Sequence, residues 1–139
     1  MTTTLDHYHY QASIDTRWHD NDIYGHVNNV VYYSYFDSTI NRYLINHAGL
    51  DIHQGDVIGF VVSSQCEFHA PVAYPACLIV GLGVIRLGRS SVTYQLGLFD
   101  ADGAHKATGQ VVHVFVDRAT QKACEMPALL RSGLEKLKL

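Results

Sequence analysis

Charge is scarce in this sequence: Asp, Glu, Lys and Arg make up 17% of its 139 residues, and the net charge is −3. Binding to a phosphate backbone needs clustered Lys and Arg to release counterions. The nearest approach to a cluster is Arg86 and Arg89 in "RLGRS", which suits a small anion better than a polymer, so a nucleic-acid partner is not expected. Long hydrophobic runs are missing too, and nothing approaches the ~20 apolar residues of a membrane span. The opening "MTTTLDHYHY" has neither a basic n-region nor an apolar h-region, so it does not read as a secretory signal. Cysteine is limited to Cys66, Cys77 and Cys124, an odd number without CxxC spacing. They read as reduced structural thiols, which implies a soluble cytoplasmic chain. Proline and glycine are both absent between residues 28 and 47.

What is present is enough to fold. The hydrophobic fraction is 47%, and a chain of this size buries roughly two-thirds of its unfolded surface without metals or disulfides. We expect one domain over residues 1–139, and few surface charges favour self-association. From Tyr8 to Trp18 the residues Tyr8, Tyr10, Ala12, Ile14, Thr16 and Trp18 alternate with more polar ones, which predicts a strand with one wet face. The stretch 28–47 is too long for a strand and predicts a helix, with Asn28 as N-cap and Gly49 as the stop. Its apolar residues, with Val27 just before it (Val27, Val30, Val31, Tyr33, Phe36, Ile40, Tyr43 and Leu44), spread around most of a helical wheel, so a helix wrapped on several sides is expected.

Strands follow. "VIGFVVSSQCEFHAP" alternates, with Ile58, Phe60, Val62, Cys66 and Phe68 on one face, and "CLIVGLGVIRL" is apolar on both faces like an interior strand. "SVTYQLGLF" and "KATGQVVHVFV" join around Asp102-Gly103, a hairpin signal, and Pro127 opens a short amphipathic helix. One long helix after the first strand, then hairpin-linked strands, predicts an α+β fold with an antiparallel sheet of about five strands curled around the helix.

The segment "DNDIYGHVNN", residues 20–29, carries more polarity than a turn requires. A helix N-terminus offers unpaired N–H groups and the positive end of the macrodipole. With Asn28 capping, the Asn29 N–H is free for a ligand oxygen. Gly25 permits close approach to the backbone, and Asp22 lies a few residues upstream. A carboxylate beside a donor aimed at a carbonyl oxygen is the minimal equipment for acyl transfer. The plainer reading makes Asp20, Asn21, Asp22 and Gly25 turn formers, Asn28 and Asn29 caps, and His26 a hydrogen-bonding structural residue. Metal chemistry has little support, because His7, His9, His19 and His113 offer no third ligand at a diagnostic spacing. The serines lack the GxSxG context of an α/β-hydrolase.

"TRWHDNDIYGHVNNVVYYSYFDSTINRYL" resembles the signature of hotdog-fold acyl-CoA thioesterases, in particular the 4-hydroxybenzoyl-CoA thioesterase-like group. The matching positions are Arg17, Trp18, Asp20, Asp22, Gly25, His26, Val27, Asn28 and Asn29, with Tyr32, Tyr35, Phe36 and Asp37 behind them. The likeness continues through "VAYPACLIVGLGVIRLGRSSVTYQLGLFDADGAHKATGQVVHVFVD" to "MPALLRSGL". It departs at "PVAYPAC", where Pro75, Ala76 and Cys77 stand in place of a frequent Gly-Asp, and at Asp37, where Glu is common.

The resemblance implies an antiparallel sheet wrapping a central helix, dimers often paired into tetramers, and an active site at the dimer interface. It makes Asp22 the catalytic carboxylate and the Asn29 N–H the donor that polarises the thioester carbonyl, with Gly25 and His26 completing the candidate catalytic set. Arg89, Ser90 and Ser91 match a segment contacting CoA, and Tyr33 is a candidate lining residue of the acyl pocket. No cofactor beyond the substrate's own CoA and no metal are expected. Asp22 would attack the thioester directly or deprotonate a water, and the sequence leaves both routes open. Two rivals are dehydration of a 3-hydroxyacyl thioester, for which this turn lacks the His–acid arrangement, and an idle hotdog oligomer that binds acyl-CoA or a protein.

Overall fold

The computed structural model describes residues 3–139. Its elements are β1 (Tyr10–Asp15), α1 (Asn29–His47), β2 (Val57–Phe68), β3 (Cys77–Leu87), β4 (Ser91–Asp100), β5 (His105–Asp117) and α2 (Ala128–Glu135), with single 3-10 turns at Leu5–His7 and Trp18–Asp20. The five strands form one antiparallel sheet in the order β1-β3-β4-β5-β2. The α+β hotdog arrangement expected from the sequence is present.

α1 begins and ends where its caps dictate. The Asn28 side chain accepts the Val30 N–H at 3.2 Å, and Gly49 adopts φ +69° while the Leu50 N–H reaches the Leu44 carbonyl at 3.0 Å. That bond closes the helix end in the left-handed manner glycine allows. The helix is not wrapped on several sides. Its buried residues, Tyr32, Tyr35, Phe36, Thr39, Ile40, Tyr43 and Leu44, form a single stripe at helical spacing, while Val30 is exposed. The sheet of one chain covers one face of a helix, and the residues on its flank stay outside.

The stripe packs on alternating residues of the sheet. Leu78, Val80, Leu82 and Val84 of β3, Val92, Tyr94, Leu96 and Leu98 of β4, and Ala107, Val111 and Phe115 of β5 supply the core. β3 is buried on both faces, as read from its sequence. On the outer face the Tyr8 ring lies against Gly81 and Gly97, and Leu139 lies against Gly83, where side chains would leave no room. The chain's last residues add a short bridge beside Val84, with the Leu139 N–H on the Val84 carbonyl at 3.0 Å.

Two expectations are corrected. β1 is shorter than Tyr8–Trp18. Tyr8 lies between the Leu5–His7 3-10 turn and the start of the strand and covers the outer face, while Tyr10 meets Tyr43 and His47 of α1 on the other side. Trp18, expected on the buried face, is 78% exposed on the second 3-10 turn.

β2 does not keep Ile58, Phe60, Val62, Cys66 and Phe68 on one face. A bulge between Val61 and Ser63 inserts Val62 as an unpaired residue. Ile58 and Phe60 then pair with the outward-facing Val116 and Val114 positions, and Cys66 and Phe68 with the inward Gly109 and Ala107. One extra residue flips every side chain beyond it. β2 is also an edge strand of twelve residues with one side unpaired, carrying exposed Phe60, Val61, Val62 and Phe68. Unpaired edges of this length and apolarity template further pairing.

Candidate active site

The polar segment folds as a compact strand-to-helix turn. Asp20 anchors it. Its carboxylate is fully buried and accepts the Arg17 N–H at 2.9 Å, the Tyr35 hydroxyl at 2.8 Å and the Arg17 guanidinium at 3.3 Å. Its carbonyl accepts the Asn28 N–H at 2.8 Å. Burial alone would raise the Asp20 pKa. The Arg17 N–H, the Tyr35 hydroxyl and the Arg17 charge together outweigh burial and leave it below the ordinary value. The reciprocal effect holds the Tyr35 phenol protonated: burial first, then the Asp20 carboxylate, push its pKa up.

Between these anchors the chain doubles back. The Asp22 N–H donates to the His26 carbonyl at 2.8 Å, the Gly25 N–H donates to the Asp22 carbonyl at 3.1 Å, and Asn21 and Val27 form a β-bridge. Gly25 takes φ +84°, with no atom within 4 Å of the place a Cβ would occupy. The glycine is therefore required by the turn and leaves open space above it, as expected. The loop carrying the proline departure braces the turn from outside. The Val27 N–H meets the Val72 carbonyl at 2.7 Å, and the Tyr74 N–H meets the Asn21 side chain at 3.0 Å.

The result places the two principal candidates on one rigid turn. Asp22 is partly exposed; its Oδ1 accepts the Tyr24 N–H at 2.9 Å, and among the described residues Oδ2 has no partner. With Asn28 engaged by Val30, the Asn29 N–H at the helix mouth has no partner among the described residues either. His26 is exposed, and its carbonyl, rather than its ring, holds the turn. Trp18, Ile23 and Tyr24 stand exposed around the turn, with Trp18 set edge-on against Tyr74 at 5.8 Å.

Tyr33 lies one helical turn from Asn29, about 6 Å along the axis. With Ser34, Asp37, Val61, Ser64 and Val111 it lines a cavity of about 390 Å³ between α1 and the β2 edge. Arg89, Ser90 and Ser91 are elsewhere. Thr16 bonds the Ala76 backbone and Asp15 pairs with Cys77, so the turn sits at the start of β3. Arg89 follows the far end of that strand, about 30 Å away at the usual rise per residue. There Arg131 holds the hairpin by donating to the Gly88 and Arg89 carbonyls at 2.6 and 3.2 Å, and the exposed Arg89 side chain meets Glu125 at 3.8 Å. One chain therefore does not bring Arg89 and Asp22 together. Among the described residues no three His, Cys, Asp or Glu side chains group to hold a metal ion, and no helix is long and apolar enough to cross a membrane.

Comparison with known proteins gives this turn a context. The description "Thioesterase-like superfamily" matches residues 16–134, a span that starts one residue before Arg17 and contains the turn, the central helix and the whole of β2 to β5. The chain belongs to the thioesterase-like superfamily. It is a thioester hydrolase by family.

Among individual thioesterases, the long-chain acyl-CoA thioesterase FadM of Escherichia coli (strain K12) is 26% identical over 129 residues, covering 91% of this chain and 98% of that one. The solved structure of the PA5185 protein of Pseudomonas aeruginosa strain PAO1 is 51% identical, with a TM-score of 0.94 over 97% of this chain and 95% of that one. A 1,4-dihydroxy-2-naphthoyl-CoA thioesterase from Synechocystis, Slr0204, shares the fold at 17% identity, with a TM-score of 0.83 over 92% and 96%.

Sequence reasoning missed Asp20 and Tyr35, treating the first as a turn former and the second as one aromatic among several. The signal was available: Arg17 stands three residues before Asp20, and Tyr35 falls on the buried stripe of α1.

Proposed function

We propose that this chain hydrolyses acyl-CoA thioesters, with Asp22 as nucleophile or general base and the Asn29 N–H as the donor to the thioester carbonyl. The observation that carries the reading is the shared turn, on which a carboxylate oxygen and a helix-end N–H, both without a partner among the described residues, stand seven residues apart with little freedom between them. A carbonyl seated on the Asn29 N–H gains charge as it is attacked, and a preorganised donor there stabilises that charge most in the transition state. Gly25 keeps the approach open, and His26 takes part through its backbone. The acyl group then runs along α1 past Tyr33 into the cavity beside β2.

The working unit we propose is a homodimer. The unpaired β2 edge is the natural seam for a second sheet. The turn and Arg89 lie at opposite ends of β3, about 30 Å apart at the usual rise per residue, which favours a substrate that meets Asp22 of one copy and Arg89 of the other. Pairing of two dimers into a tetramer would cover further outer sheet face. Arg89 would contact a CoA phosphate with Ser90 and Ser91 beside it, in a protein that is one cytoplasmic hotdog domain and needs no cofactor.

The test is a panel of acyl-CoA esters read with a thiol reagent. We expect free CoA from at least one aliphatic or aromatic ester. Tight binding across the panel with no thiol released would replace the enzyme with an idle acyl-CoA-binding oligomer. In the same assay Arg89→Ala is expected to raise KM by roughly tenfold, the loss of one charge-assisted contact, at unchanged kcat. An unchanged KM would remove Arg89 from the CoA site.

A further inference from the structure

Asp20 performs none of the chemistry assigned above, yet its bonds converge on the element that does. The carboxylate holds the chain entering the turn through Arg17, and its carbonyl holds the chain leaving it through Asn28. The 2.8 Å bond from the Tyr35 hydroxyl ties both to the second turn of α1. Tyr35 lies six residues beyond Asn29, about 9 Å further along the axis, where the helix is packed on the sheet and its ends do not fray. A buried carboxylate is costly unless its partners are well placed; here the Tyr35 hydroxyl and the Arg17 amide and guanidinium all meet it.

We propose that Asp20 and Tyr35 are positioning residues for thioester hydrolysis: their buried bond locks the turn bearing Asp22 to the body of α1 and so fixes that carboxylate against the Asn29 N–H. The inference rests on the assignment of Asp22 made above. It follows from how steeply catalysis depends on placement, since a shift of about 1 Å in a reacting group can cost roughly 100-fold. The turn has few other ties to the helix body. Its remaining bonds run within itself, to the first helical turn and to the 72–74 loop.

The experiment compares two phenols on one helix. Tyr35→Phe deletes the hydroxyl on Asp20. Tyr43→Phe deletes an equally buried hydroxyl that donates to the Gly133 carbonyl at 2.6 Å, eight residues further on and away from the turn. Both variants should lose stability in urea, Tyr35→Phe the more because its bond is to a buried carboxylate and that of Tyr43 is to a neutral carbonyl, so urea midpoints are measured first and kcat is compared where both variants are folded. Only Tyr35→Phe should lose kcat, by about tenfold or more, with KM within about twofold of the parent, as expected for an interaction realised in the transition state.

Arg17→Gln withdraws the guanidinium from Asp20 at a largely exposed position that tolerates substitution, and should lower kcat in the same direction. It decides the matter if Tyr35→Phe does not fold. Equal kcat in Tyr35→Phe and Tyr43→Phe, or parental kcat in Arg17→Gln when Tyr35→Phe is unfolded, overturns the positioning role. Asp22→Asn run alongside separates the two ideas. Activity in that variant ends the Asp22 assignment and this inference with it. An inactive Asp22→Asn beside a fully active Tyr35→Phe ends the inference alone.

Discussion

Asp22→Asn is expected to lower kcat for thioester hydrolysis by roughly 1,000-fold or more, in line with the loss of a catalytic carboxylate from other hydrolases. The substitution is nearly isosteric. The one side-chain bond Asp22 makes among the described residues, from the Tyr24 N–H to Oδ1, can be kept by an amide oxygen. The residue sits on a surface turn held by Asp20, by the Asp22 N–H on His26 and by the 72–74 loop, none of which needs the Asp22 charge. Stability should therefore move by less than about 0.5 kcal/mol. An amide neither attacks a thioester at a useful rate nor takes a proton from water, so the nucleophile and general-base routes predict the same loss. The residual rate would come from the Asn29 N–H and substrate binding, which the variant leaves in place. The checks are kcat from CoA release and a urea midpoint on the same preparation. Activity within about tenfold of the parent would move the chemistry to another group.

The candidate site was legible in the sequence where its residues are nearly consecutive. Asp22, Gly25, Asn28 and Asn29 lie within one turn, so spacing alone sets their relation, and the caps of α1 and the Asp102-Gly103 hairpin followed from local backbone preference. What escaped depended on distant partners. Asp20 and Asp22 look alike in "DND", yet one is fully buried and the other partly exposed, a difference made by a tyrosine fifteen residues away. Arg89 belongs to the same family pattern as Asp22, but an eleven-residue strand separates them.

Strand faces failed for a related reason. In "FVVSS" a bulge at Val62 leaves no mark, because valine suits either face of an edge strand. Tyr8 continues the alternation of β1 on paper but turns to the outer face, where Gly81 and Gly97, more than seventy residues later, leave a slot for its ring. The helix looked apolar all round because Val30 and Val31 are valines. In one chain Val30 is exposed and Val31 is only partly buried against the core.

The second large effect concerns acid. His113 is 2% exposed on the helix-facing side of β5, its Nδ1 3.2 Å from the Tyr94 hydroxyl, and burial lowers its pKa from 6.5 to about 4. The Asp37 carboxylate pulls the other way without restoring it. Tyr94 is itself buried, and burial keeps its phenol protonated, so the pair is neutral on both sides.

Because the imidazole resists protonation in the fold but not in the unfolded chain, the unfolded state binds more protons below pH 6.5. The His113 contribution is therefore complete above that pH, falls as pH drops through the window from 6.5 to about 4, and levels off below it. The full loss is about 3 kcal/mol at 1.36 kcal/mol per pH unit, a large share of the roughly 5–15 kcal/mol that holds a domain of this kind. His105, lowered first by burial and then by His69, adds to the same slope. Asp20, Asp51 and Asp100, held below the ordinary 3.8, lose their contribution only at lower pH and stay outside the window.

His113→Gln keeps a polar group for Tyr94 and removes the titration. Urea unfolding at pH 7 and pH 4.5 should differ by much less in this variant than in the parent. An identical pH slope in the two proteins would mean that His113 takes up its proton inside the fold as readily as in the unfolded chain, the Asp37 carboxylate offsetting burial in full.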